Sequence, residues 1–375
     1  MRPTNAESDE ERSIRRRVVA IDALRGWMML LTVSADVLLA GLWELAPSVH
    51  VRQLLKEFTH AEWHGITYYD AGLPGYVFVM GAAIGLARYR ARAKGTPGRT
   101  LVAKIIRRTA ILFALGIVCT GGLTAPWPEV RLVGPLQRLA ICYAAGCFLA
   151  WNFGWRSHAV LLVSILLGYW AMLAWIPYPG AELGRYSLEG NLVAFVDRML
   201  LPGQKYHGTW DPEGILSTLP AIGTCLSGLL VGRLFLVPMT EVRRCALLFG
   251  GGAVAVAISI LWSHVLPFNK ALWTSSFALA TGGAAMIHLA VLHSVSDVWL
   301  RPRLLRPLIV YGRNSIAAYV GDLLIDFPAI ALRLVGGSVA LFLGRWSGIT
   351  TALVVIAMQW SILWWLDRRK IHIGV

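Results

Sequence analysis

The chain has 375 residues, of which 56% are apolar and only 15% charged, with a mean hydropathy of +0.59. Soluble domains carry roughly a quarter charged residues, so a soluble multidomain architecture is excluded, and the 16 Trp and 37 Gly suit membrane helices. The net charge of +14 comes from 35 Lys+Arg against 21 Asp+Glu; basic residues gather in the cytoplasmic loops of membrane proteins, and without an RNP, zinc-finger or helix-turn-helix pattern no nucleic-acid partner is expected.

The first 17 residues are polar and charged and are expected to form a disordered cytoplasmic tail. The apolar run that follows starts too late, and precedes too many others, for a cleaved signal peptide. Runs of about 20 residues, enough to cross a bilayer, fall at 18–40, 67–87, 104–122, 132–151, 158–176, 213–236, 245–266, 273–293, 307–327 and 347–366. The predicted fold is therefore all-α and polytopic, with about ten transmembrane helices in a single domain over 18–375. The stretch 328–345 is apolar but holds Arg333, Gly336, Gly337 and Arg345, which marks it as a re-entrant or interfacial piece.

Charge sets the orientation. Arg12 to Arg17, Arg88 to Arg108, Arg233 to Arg244, Arg301 to Arg306 and Arg368 to Lys370 all fall on one side of such a chain. The positive-inside rule puts both termini in the cytoplasm. Gly81-Ala-Ala-Ile-Gly85 in the second run permits close helix contact. The five cysteines lie in or beside apolar runs, lack the paired spacing of a metal site and read as small hydrophobes.

Ionisable groups at membrane depth are costly and usually functional. Asp36, His60, Glu62, His64, Asp70, Gln137, Arg138, Asp211, Glu213, Asn269, Lys270, Asp322 and Asp326 all fall toward the non-cytoplasmic side, where they can line one outward-facing cavity. A neutral imidazole beside a carboxylate can take a proton or carry an acyl group, which singles out His60; a loop histidine bonded to backbone is the competing reading. His60 and His64 would share a helical face, but His-Ala-Glu-Trp-His is not the zinc-protease pattern and no metal is expected. Arg138 needs a partner inside its apolar run, with Asp70 or Asp36 expected across the cavity. Trp43, Trp63, Tyr68, Trp127, Trp175, Trp210 and Trp273 read as an aromatic belt, some of it available to stack on a sugar.

These segments resemble the heparan-α-glucosaminide N-acetyltransferase family of transmembrane acyltransferases. The likeness rests on Asp22-Ala-Leu-Arg25-Gly26, His60-Ala-Glu-Trp63-His64-Gly65, Leu73-Pro74-Gly75, Gly134-Pro-Leu-Gln137-Arg138, Asp211-Pro212-Glu213-Gly214, Asn269-Lys270-Ala-Leu-Trp273 and Tyr311-Gly312-Arg313-Asn314, in this order. The resemblance implies an acetyl-CoA-dependent N-acetyltransferase, with acetyl-CoA as co-substrate and an amino sugar (glucosamine-type) or glycan as acceptor across the membrane. It implies that His60 is the essential catalytic residue, aided by Asp36 and Asp70, with Trp63, Gln137, Arg138, Asn269 and Trp273 around the acceptor. Arg25, Arg107, Arg108 and Arg313 are the expected contacts to the phosphates of CoA; positive-inside topology accounts for the same arginines without a ligand.

At the outer end of the first run the chain has Asp36 where the family's lysosomal member has Asn, a change able to orient His60 or alter acceptor preference. That member's large luminal domain has no counterpart here, so the expectation stops short of heparan sulfate. The expected setting is a bacterial inner membrane with His60 facing the periplasm, and a homodimer is allowed. Two alternatives stay open: O-acylation of a surface polysaccharide, and a solute transporter sharing the fold.

Overall fold

A computed structural model of the chain describes residues 18–371. The expected tail, 1–17, lies outside the described residues, as do 372–375. All regular structure among the described residues is helical. In chain order the helices are α1 (Val19–Leu45), α2 (Val49–Lys56), α3 (Gly72–Ala93), α4 (Gly98–Cys119), α5 (Pro135–Asn152), α6 (Trp155–Trp175), α7 (Leu192–Leu200) and α8 (Thr218–Leu234). They continue with α9 (Glu241–Ser263), α10 (Ser275–His293), α11 (Arg306–Arg313), α12 (Ser315–Leu324), α13 (Phe327–Val335), α14 (Ser338–Leu343) and α15 (Ser347–Arg368).

Every predicted apolar run coincides with one of these helices or a broken pair, but the ten-span count is not reached on length and apolarity. Among the described residues six helices are long and apolar enough to cross a membrane, or seven if the pair α12 and α13, bent by 71°, is one broken span. The reason is burial. α8 is only 17 residues and rich in Gly, Ser and Thr because it packs inside the bundle against α3, α5, α6 and α10. α4 carries Arg99, Lys104, Arg107 and Arg108 in its first half. The helices that face outward are the apolar ones: on α6, Val160, Val163 and Leu167 are exposed, and on α9, Val254, Ile258 and Leu261. Apolar exposed stripes at helical spacing fit a lipid surround, not water.

The tightest contacts are made by glycine. A Cβ at Gly81 of α3 would lie 1.9 Å from the Cys225 carbonyl oxygen, and one at Gly228 of α8 equally close, 1.9 Å, to that of Phe78. The two backbones are therefore in contact, as the small-residue spacing of α3 predicts. Gly26 of α1 and Gly312 of α11 make a second such crossing. The central core, including Val77, Ile84, Leu139, Cys142, Cys225, Leu229 and Phe277, is drawn mainly from α3, α5, α8 and α10, with Leu112, Leu166 and Ile316 added from α4, α6 and α12. It fixes the helix ends from which the polar loops described next are suspended.

The region 328–345 breaks at Gly336 and Gly337, with Gly337 at φ +57°, before α14 and a short turn lead into α15. The 71° bend between α12 and α13 falls just before this stretch, at the end of the expected run 307–327.

A histidine–aspartate cavity as the candidate active site

His60 lies between α2 and a single 3₁₀ turn, Tyr69–Ala71, in a stretch with no regular structure. The premise that His60 and His64 share a helical face therefore does not apply. The loop is clamped from outside: Gly65 N–H donates to the Phe268 carbonyl at 2.8 Å, and Asn269 Nδ2 donates to the Trp63 carbonyl at 2.9 Å. Gly65 has φ +124°, a value that suits only glycine, so the sequence has Gly where the chain must turn toward the 267–274 loop.

Asp70 organises the loop. It is 1% exposed, and its Oδ1 lies 2.8 Å from His60 Nδ1. Its Oδ2 accepts the Thr67 hydroxyl at 3.0 Å and the N–H groups of Thr67 and Ala61, both at 3.3 Å. Lys270 Nζ stands 3.3 Å from the same Oδ1 and 2.9 Å from His60 Nδ1. A buried carboxylate so fully bonded stays ionised; in the tautomer whose Nδ1–H donates to it, Nε2 keeps its lone pair, with Lys270 Nζ 3.3 Å away. The Tyr69 ring, centred 4.7 Å from that of His60, limits its rotation.

Nε2 belongs to a side chain that lines a cavity of about 430 Å³. Asp70, Lys270, Glu213, Arg131, Arg138 and Trp63 share its wall, together with Trp273, Tyr69, Tyr76, Tyr206 and Tyr319. A second ionic cluster shapes the far side. Arg131 grips Asp211 with two bonds of 2.7 Å and reaches Glu213 at 2.7 Å, its guanidinium over the Tyr206 ring. Burial opposes the Arg131 charge, but the bonds and charges of Asp211 and Glu213 outweigh it and hold its pKa above the ordinary arginine value. Asp197 of α7 accepts the N–H groups of Asp211 and Ile215, locking the 211–215 turn, and burial pushes its own carboxyl pKa up.

Arg138 does not pair with Asp70 or Asp36. Its Nη2 donates to the Pro212 carbonyl at 2.7 Å and to the Ser217 hydroxyl, and its guanidinium lies 4.8 Å from the Trp273 ring centre. Trp273 holds a left-handed backbone, φ +49°, anchored by Nε1–H to Thr224 at 3.1 Å. Strained backbone of this kind concentrates at functional sites.

The structure thus brings His60, Asp70, Trp63, Arg138 and Trp273 to one cavity. It does not bring Asp36 there: that side chain is exposed on α1, its Oδ1 accepting the Val37 N–H at 2.8 Å. Asn269 is buried behind the wall as a brace between loops, and the Gln137 amide is buried against Gly116 and Gly134 of the neighbouring backbone. None of Arg25, Arg107, Arg108 and Arg313 lines the cavity. Arg25 lies 3.8 Å from Asp22, Arg313 3.1 Å from Asp367, Arg108 over the Tyr143 ring, and Arg107 is exposed on α4. Of the aromatic belt, Trp63 and Trp273 reach the cavity, whereas Trp175 points outward and Tyr68 is tied to Trp27 and His288. Sequence reasoning placed Lys270 at the cavity without a chemical role and gave Arg131 none. The signal was present for Lys270, which adjoins Asn269 in one of the family-like segments.

These features define a class: a helical membrane protein with an oriented His–Asp pair opening on an aromatic, polar cavity. Comparison with known proteins carries this to a family-level relationship with the heparan-alpha-glucosaminide N-acetyltransferases. The human protein of that name is 28% identical over 327 residues, covering 70% of this chain and 48% of its own length. The mouse protein is 26% identical over 393 aligned residues, 87% of this chain and 57% of its length. The chain spans about half the length of the curated relatives it matches. No family model matches it.

Proposed function

We propose that the protein is a transmembrane acetyltransferase that moves an acetyl group from cytoplasmic acetyl-CoA to the amine of a glucosamine-type sugar or glycan on the opposite side. The observation that carries the reading is the His60–Asp70 pair, 2.8 Å apart, at a cavity walled by aromatic rings, with Lys270 Nζ 3.3 Å from Nε2. The names of the human and mouse relatives support the chemistry. The positive clusters support an orientation with both termini cytoplasmic, ten crossings with the shorter buried helices counted, and a periplasm-facing His60 in a bacterial inner membrane.

Acetyl-CoA supplies the activated acetyl group as a thioester. His60 Nε2 takes the proton from the acceptor amine as the new C–N bond forms and the C–S bond breaks, and returns it to the thiolate that leaves. Asp70 steadies the imidazolium that this step creates. The positive charges of Lys270 and Arg138 face the cavity where the tetrahedral oxyanion develops. Trp63, Trp273 and the tyrosines offer apolar faces to a sugar ring.

The direct test is proteoliposomes given radiolabelled acetyl-CoA with a panel of amino sugars. Label on a glucosamine-type amine is the expected result. Label on a hydroxyl acceptor alone would replace the reading with O-acylation, and unchanged solute carried across without label would replace it with transport.

The cavity also predicts a pH dependence. Burial lowers the Lys270 pKa below the ordinary lysine value, with the Asp70 carboxylate opposing that shift. Lys270 therefore loses its charge at a pH where a free lysine keeps it, so activity falls on an alkaline limb that begins earlier than ordinary lysine deprotonation would set. The stability contribution has the opposite sign: with a depressed folded pKa it is present above the unfolded lysine value and lost as pH falls through the folded one. Lys270→Gln is expected to lower the rate and flatten the alkaline limb. A limb of unchanged position in that variant would remove Lys270 from the profile.

A further inference from the structure

A second cavity, of about 330 Å³, opens where α3, α6 and α8 end, on the face that carries the Arg-rich segment after α3. Arg88, Arg92 and Arg233 line it, with Trp155 and His158 from the first turns of α6 and an apolar wall of Leu229, Leu230, Leu236 and Val237. Among the described residues no Asp or Glu lines it, and no ion pair involves any of the three arginines. Arg88 Nη1 donates to the Phe153 carbonyl at 3.3 Å, while its Nε is buried without a partner. The Arg233 guanidinium lies 4.9 Å from the Trp155 ring centre. Arg88 is half-buried and Arg92 and Arg233 are exposed at the rim; three positive charges around one cavity, with no carboxylate among the described residues to balance them, suit an anion.

This cavity is separate from the one at His60. Tyr76 of α3 faces the first; Gly85 and Arg92, nine and sixteen residues later, face the second, about 180° and 160° around the helix at 100° per residue. The space between is filled. A Cβ on Gly146 would meet Cys225 Sγ at 2.8 Å and Ile84 Cδ1 at 3.1 Å. A ligand seated here therefore cannot present an acyl group to His60. Outward, the cavity borders exposed apolar side chains: Phe148, Phe153, Trp155 and Val237. The wall is half cationic and half apolar, and it is continuous with the lipid-facing surface of the bundle.

We propose that this cavity holds the headgroup of an anionic phospholipid, its phosphate between Arg88, Arg92 and Arg233 and its glycerol and upper acyl carbons along Leu229, Leu230 and Val237. A phosphodiester supplies the negative charge, and the chains supply the apolar part that a free phosphate lacks. The proposal needs the membrane setting but not the acetyl-transfer reading, so either can fail alone.

The experiment is native mass spectrometry of the full chain released from bilayers of equal phosphatidylglycerol and phosphatidylcholine. Wild type is expected to retain phosphatidylglycerol selectively. Near a membrane surface each arginine is worth about a fivefold change in anionic-lipid binding, so R92Q/R233Q is expected to weaken that retention about 25-fold, with phosphatidylcholine unaffected. Arg88 is left in place because it braces Phe153. R301Q/R303Q, exposed arginines away from the cavity, is expected to match wild type. A second readout guards against misfolding: added phosphatidylglycerol is expected to raise the unfolding midpoint of wild type and not of R92Q/R233Q. Equal lipid retention in R92Q/R233Q, or equal loss in R301Q/R303Q, would overturn the proposal. So would displacement of the lipid by soluble coenzyme A, which would assign the cavity to a water-soluble phosphate.

Discussion

His60→Ala is expected to lower acetyl transfer by about 10²- to 10⁴-fold, the usual contribution of a positioned general base, while the protein still folds. The structure separates the two effects. The His60 side chain is more than half exposed, so its removal leaves no buried void. Asp70 keeps Lys270, Thr67 and the Ala61 N–H as partners when the imidazole is gone. The unfolding midpoint should therefore move little while turnover collapses. Labelled acetyl-CoA without acceptor adds a second readout: label retained on wild type and absent from the variant would assign His60 as acyl carrier, and no retained label would assign it as base. A rate equal to wild type in His60→Ala would remove the residue from the mechanism altogether.

Much of this fold is legible in the apolar runs, because a helix that meets lipid must be long and apolar along its outer face. α1, α3, α6, α9, α10 and α15 obey that rule, and their expected edges fall within six residues of the observed ones, the largest misses at α1 and α3. α8 shows where the rule stops. Enclosed by other helices, it needs small residues for contact and not length, so its predicted start at 213 overran into the loop that carries Glu213 and Ser217. The short helix α2 is polar and gives no hydropathy signal, and α7, though apolar, is only nine residues and too short to register as a span.

The site was legible in its residues and not in its pairings. Sequence order puts Asp36 and Asp70 at similar depth, and only the rotation of α1 and the path of the 59–70 loop decide that Asp70 is the one at His60. Arg138 was assigned a charged partner because a buried guanidinium must have its charge or its N–H groups met. It is held instead by a carbonyl, a hydroxyl and the face of Trp273, groups that carry no charge for a sequence reading to find. The arginines expected at CoA were placed by topology, and topology alone does not converge side chains.

Asp70→Asn carries the second large expected effect, and it distinguishes orientation from stability. The amide is nearly the size of the carboxylate but has an N–H₂ group that can donate to His60 Nδ1. That bond would force the proton onto Nε2, where it blocks acceptance from the substrate amine; the expected loss is about 10²- to 10⁴-fold in turnover. The same change leaves the Lys270 ammonium without its carboxylate, 3.3 Å away in the parent protein, at an expected cost of about 1–3 kcal/mol in stability. The double variant Asp70→Asn with Lys270→Gln removes the stranded charge and should recover most of that stability without recovering turnover. If turnover instead returned along with the unfolding midpoint, Asp70 would serve only to neutralise Lys270, and the orientation of His60 would have to come from the loop backbone. Stability without activity in the double variant would leave the carboxylate's hold on Nδ1 as the reason the imidazole can act as a base.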